Sequence, residues 1–188
     1  MSDLNRTRRN EGFAFFAAFA ATVPLANWLI GNVGTFCAPQ GPCVIPVGFG
    51  FEAPSGVLAV GAALVLRDLV QRRLGLGWSM VAILVGAALS ATFASRELVI
   101  ASTAAFLLSE LADLAIYTPL QRRRLMLAVL ISGVVGLTVD SIVFLWLAFG
   151  SLDFVAGQVL GKLWMVLITL PLLAWLRQRD ARLGLSPA

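Results

Sequence analysis

Apolar residues fall in six long runs, each separated from the next by a short polar, basic or glycine-rich stretch. The runs cover approximately Phe13–Val33, Pro54–Val70, Trp78–Ser95, Leu98–Pro119, Leu125–Phe149 and Phe154–Leu176. Each is near the ~20 residues a helix needs to cross the hydrocarbon core of a bilayer. The pattern predicts an all-α polytopic membrane protein, a six-transmembrane-helix bundle forming a single integral domain over residues 1–188.

Basic residues give the predicted bundle a direction. Arg6, Arg8 and Arg9 precede the first run, and Arg67, Arg72 and Arg73 close the second. Arg122, Arg123 and Arg124 separate the fourth and fifth, and Arg177, Arg179 and Arg182 follow the sixth. The other three connections hold only Arg96. Loops rich in arginine stay on the cytoplasmic side, so both termini are expected there. The first run continues through Trp28 and Ile30 without a small-x-small cleavage site in a polar context, so an uncleaved first span is expected rather than a signal peptide.

Composition agrees: 59% of the 188 residues are hydrophobic and 13% are charged. That is too little polar surface for a soluble domain of this size. The formal charge of +4 lies in short flanking clusters, which argues for a lipid bilayer and against a nucleic-acid partner. The chain has no histidine, which removes Ser-His triads and His-ligated metals. Its one lysine, Lys162, is followed by Leu163, so there is no phosphate-binding P-loop. Asp140–Ser141 and Ser109–Glu110 are adjacent pairs that point different ways on a helix, so neither is a catalytic dyad. No enzyme activity, catalytic residue, cofactor or metal is expected.

The connection from Asn32 to Ala53 lacks Lys and Arg and is expected outside. It is rich in Gly and Pro, and reads either as a segment re-entering the membrane or capping a cavity, or as a plain surface loop. Cys37 and Cys43 lie in it, as a disulfide or as two free thiols. Arg67 and Asp68, at the end of the second run, read as interfacial anchors with snorkelling side chains. Arg96 and Glu97 read as a solvated outer pair.

Polar groups inside the runs carry the chemistry. Glu110, Asp113 and Tyr117 follow i, i+3, i+7 and share one helical stripe. The fifth run carries Asp140, with Gly133 and Gly136 near its face; the sixth carries Gln158 and Lys162 beside a G-x-x-x-G at Gly157 and Gly161. ELADLAIY and LTVDSIVF each place an aspartate four residues before an aromatic. A rise of ~1.5 Å per residue puts Glu110 roughly 18 Å, Asp140 roughly 14 Å and Lys162 roughly 12 Å below the outer surface. A charge in hydrocarbon costs several kcal/mol, so these groups are expected to face the bundle interior. They read as a substrate site near mid-membrane, or as polar glue locking the bundle. Lys162 is expected to neutralise Asp140. A carboxylate accepts two parallel N–H bonds from a guanine-like edge, Gln158 can serve a neighbouring carbonyl, and Trp146, Trp164, Phe144 or Tyr117 can stack on the ring. A cationic amine fits as well.

The stretches SELADLAIYTPL, VDSIVFLWLAFG and GQVLGKLWMVLITLPLL, within a six-span pattern, resemble the VUT family of vitamin-uptake-like queuosine precursor transporters. The resemblance covers most of the chain and is strongest from Ala105 to Leu173. It implies a multi-pass protein of the bacterial inner membrane that imports a 7-deazaguanine-type base such as 7-cyano-7-deazaguanine. It carries substrate-binding roles onto Glu110, Asp113, Asp140, Gln158 and Lys162, with Tyr117 on the same stripe. Two alternatives stand beside this reading. One is the substrate-binding subunit of an energy-coupling-factor importer, with Ala14, Ala17, Ala18 and Ala21 docking a coupling ATPase complex. The other is a structural membrane protein. A homo-oligomer is compatible with all three.

Overall fold

The structure is a computed structural model describing residues 2–37, 42–94, 96 and 98–184, with the backbone alone at residues 2 and 3. Six helices form: α1 Ser2–Asn32, α2 Val57–Leu74, α3 Leu76–Phe93, α4 Val99–Leu120, α5 Leu125–Phe149 and α6 Val155–Leu183. Three short strands, β1 Phe36–Cys37, β2 Cys43–Gly48 and β3 Phe51–Pro54, lie between α1 and α2.

Five of the helices are long and apolar enough to cross a membrane: α1, α3, α4, α5 and α6. Large apolar side chains point outward from them, among them Leu84 on α3, Ile100 on α4, Trp146 on α5 and Ile168 on α6, all more than half exposed. In water that surface would be costly; against lipid it is the expected outer face. The second helix departs from the six-span expectation. It carries Arg67, Asp68, Arg72 and Arg73 in its second half, too many charges to qualify by composition. Instead α2 is enclosed: 13 of its 18 residues are buried, against 6 of 18 in α3. It packs against α1, α3, α5 and α6, with a smaller contact to α4. A helix hidden on all sides can hold charge only where neighbours supply counter-charge.

Close approach is set by small residues. A Cβ on Gly61 of α2 would sit 2.6 Å from the Lys162 carbonyl oxygen, so α2 crosses α6 at the lysine. A Cβ on Gly136 of α5 would sit 3.0 Å from the Asp113 Cβ, which brings α5 onto the acidic stripe of α4. Leu64, Leu69, Tyr117, Leu137 and Val166 fill the core between these helices.

The described part of the Asn32–Ala53 connection is a cap docked on α6 rather than a plain surface loop. It folds into an antiparallel sheet in the order β1-β2-β3. Gly48, Phe49 and Gly50 all take positive φ in the turn joining β2 and β3, which the two glycines allow without strain. Val47 and Ala53 turn inward onto Val57 and Leu160. Trp164 donates its indole N–H to the Val47 carbonyl at 2.7 Å, tying the sheet to α6. The G-x-x-x-G of α6 receives this cap and the start of α2: Gly157 abuts the Glu52 backbone and Gly161 abuts Val57 and Val47. Cys37 and Cys43, paired across β1 and β2, form a disulfide.

Candidate functional site

A cavity opens at the sheet end of the bundle, and all six helices contribute to its wall. About 110 Å³ of it is open to the centres of water molecules. One water needs about 10–15 Å³ on that measure, so the space suits a small organic molecule. Most of its wall is apolar or hydroxylic: Val23, Ala26, Ile30, Val57, Val60, Ala105, Phe106 and Phe144, with Ser90, Ser102 and Ser109.

Four of the six residues expected to bind substrate line it: Glu110, Asp140, Gln158 and Lys162. They form two groups. Lys162 Nζ donates to Asp140 Oδ2 at 2.5 Å, Ser141 Oγ at 2.8 Å and Gln158 Oε1 at 2.8 Å. An ammonium has three N–H donors, and all three are used. The expected Lys162–Asp140 pair is therefore present, and the lysine has no donor left for a ligand. Because Gln158 accepts through oxygen, its amide nitrogen is the end left to donate into the cavity.

Glu110 belongs to the second group, centred on Arg67. Arg67 Nε donates to Glu110 Oε2 at 2.8 Å. Its Nη1 lies 2.9 Å from Asp68 Oδ1 and 3.4 Å from Gln71 Oε1, and its Nη2 touches Asp113. The guanidinium lies over the Tyr117 ring at 5.8 Å. Gln71 donates onward to Thr118 Oγ1 at 2.9 Å. The planar fork of arginine suits this work, because three nitrogens can address three acids at once.

This corrects the reading of Arg67 and Asp68 as interfacial anchors. They are 0% and 1% exposed and sit at the centre of the bundle. Lys162 is accordingly not the only cation deep in the protein. Asp113 and Tyr117 are also moved: both are buried one turn or more from the cavity, against Arg67, and do not line it. Among the proposed stacking rings, Phe144 lines the cavity. Trp146 faces outward, Trp164 holds the sheet, and Tyr117 lies beneath Arg67. Phe106, which sequence reasoning missed, lines the cavity too. Its signal was its place four residues before Glu110 on the same stripe.

At the end opposite the sheet a third group ties three helices together. Arg72 and Arg73 of α2 both bond Asp180 of α6, the closest contact being 2.8 Å. Arg73 Nε lies 2.9 Å from Glu11 Oε2 of α1, and Arg179 also contacts Glu11. Arg72 and Arg73, expected as membrane flanks, are 5% and 1% exposed. Arg96 is exposed as expected; Glu97 lies outside the described residues, so their pairing is not described.

Among the described residues no group of acids, cysteines or histidines has metal-holding geometry. A family profile described as "putative vitamin uptake transporter" matches residues 78–176, more than half of the chain. The chain belongs to this family. The match spans α3 to α6 and so contains Glu110, Asp113, Tyr117, Asp140, Gln158 and Lys162. Arg67, which binds Glu110, lies before it. No curated protein and no solved structure matches the chain. Membership makes this a multi-pass membrane protein of a vitamin-uptake transporter family.

Proposed function

We propose that the protein imports a small, flat, hydrogen-bonding molecule of the 7-deazaguanine class, such as 7-cyano-7-deazaguanine, into the bacterial cytoplasm. One observation carries the reading: the Glu110 carboxylate and the Gln158 amide border the same small cavity, flanked by Phe106 and Phe144. The carboxylate would accept paired N–H groups from the base edge, the amide would donate to an adjacent carbonyl, and the phenyl rings would cover its faces. Asp140, held by Lys162, adds a second acceptor at the wall. On this reading Asp113 and Tyr117 act through Arg67, which positions Glu110.

The distribution of arginine supports α1 and α6 with their termini in the cytoplasm of an inner-membrane protein and the sheet outside. The enclosure of α2 among five helices able to span a membrane supports a bundle that crosses six times. The test is uptake of labelled 7-cyano-7-deazaguanine by cells expressing the protein, beside cells expressing Glu110→Gln. Accumulation in the first and loss in the second is expected. Equal uptake with and without the protein rejects the cargo.

A second reading, a substrate-binding subunit of an energy-coupling importer, is favoured by one feature. Ala14, Ala17, Ala18 and Ala21 are all exposed on α1, a smooth strip on which a coupling subunit could lie. Co-purification of an ATPase with the tagged protein tests it. Uptake by the purified protein alone in vesicles rejects it.

A further inference from the structure

Counting charges around Arg67 leaves an imbalance. Asp68, Glu110, Asp113 and Asp140 are four acids in the interior, and Arg67 and Lys162 are the two cations that contact them. Asp140 is matched by Lys162. That leaves Asp68, Glu110 and Asp113 on one guanidinium. Two uncompensated negative charges in the middle of a membrane bundle are too costly to persist.

Hydrogen bonding says which acids are in excess. Glu110 accepts a well-formed bond from Nε. Asp113 and Asp68 touch the same guanidinium through Nη2 and Nη1 without a well-formed hydrogen bond, and the fully buried Asp113 Oδ1 has no partner of either kind. Two buried hydroxyls complete the pattern. Ser132 Oγ of α5, fully buried, faces Asp68, and Tyr117 Oη, fully buried and unpartnered, lies within electrostatic reach of Asp68 and Arg67. One guanidinium cannot neutralise three buried carboxylates, whereas a carboxylic acid becomes a donor and loses its charge. A metal ion does not fit: no metal-holding group of acids is present among the described residues, and the guanidinium repels a cation.

We infer that the Asp68–Glu110–Asp113 cluster around Arg67 is a proton-binding site, holding two protons on three carboxyl groups, linked to the cavity through Glu110. The other charged and titratable groups facing it are Arg72 and Arg73 of α2, Tyr117 of α4, Asp140 of α5 and Lys162 of α6; α1 and α3 contribute no charge to it. Only Glu110 belongs to both the cluster and the cavity wall. A ligand that draws on the Glu110 carboxylate loosens its bond to Arg67 and frees the guanidinium for Asp68 or Asp113. The number of bound protons then changes with occupancy of the cavity.

The test is infrared spectroscopy of the purified, ligand-free protein at neutral pH, reading the carbonyl stretch of protonated carboxylic acids and its downshift in heavy water. The wild type is expected to show that band. Because the three acids share two protons, Asp68→Asn, Asp113→Asn and Glu110→Gln should each lower it by about half, Glu110→Gln included although Glu110 itself is the ionised member. A wild type without the band overturns the inference, even if no variant can be purified. So does a band that all three substitutions leave unchanged, or one that added sodium abolishes. The measurement uses no cargo, so it can fail while the cargo reading stands, and the uptake test can fail while the proton site stands.

Discussion

Arg67 Nε donates to Glu110 Oε2 at 2.8 Å, and this bond joins the enclosed helix α2 to the cavity wall. Glu110 is thereby both a side chain facing the cavity and a ligand of the central guanidinium. Neutralising either partner does more than delete one contact, since the other remains buried with its charge.

Arg67→Lys is expected to lose most uptake although it keeps the charge. An ammonium cannot reach Glu110, Asp68 and Asp113 along three fixed directions. Arg67→Met should lower stability by about 3–5 kcal/mol, the usual cost of stripping a buried pair of one member. Thermal melting in detergent, read beside transport, checks both. A Lys variant that transports as the wild type does would show that geometry at this position does not matter.

Asp140→Leu should destabilise the protein by about 3–5 kcal/mol, because it leaves the buried Lys162 charge alone, and Lys162→Met should cost less, because Asp140 is 13% exposed at the cavity wall. The double variant should cost less than the sum of the two. Melting of the four proteins in one detergent measures the coupling. Strict additivity would mean that the 2.5 Å contact contributes nothing.

The opposite end of the bundle offers a contrast between two acids. Asp180 is 2% exposed and serves both Arg72 and Arg73, whereas Glu11 is 21% exposed. Asp180→Asn should therefore be severe, about 3–5 kcal/mol. Glu11→Gln should cost about 1 kcal/mol or less, since water can solvate what it leaves behind. Equal melting shifts for the two variants would contradict this order.

The disulfide tests topology and the cap together. A membrane-impermeant thiol reagent applied to intact cells should label Cys37 and Cys43 only after reduction. Replacing both with serine should cost about 2 kcal/mol by the loop-closure argument for so short a loop. Labelling without reduction, or no labelling from outside after it, would remove the bond or the proposed orientation.

Long apolar runs and the arginines between them were enough to read a helical membrane protein, its helix boundaries to within a few residues at most ends, and the acids that had to face inward. These are one-dimensional properties: hydrocarbon thickness sets run length, and the cost of charge in lipid sets direction. The stripe Glu110–Asp113–Tyr117 and the Lys162–Asp140 pair were legible for the same reason. The role of Arg67 was not. Its position at the end of an apolar run is the same for a snorkelling anchor and for a buried hub. What separates the two is whether α2 lies at the bundle surface or inside it, and α2 is buried because α1, α3, α5 and α6 close around it. Nor could local pattern show that Asn32–Ala53 is a sheet, since its register depends on docking to α6 through Trp164, Gly157 and Gly161. The division of the acidic stripe was likewise tertiary. Gly136 brings α5 onto Asp113 and covers it, while Glu110, one turn away, is left at the cavity wall.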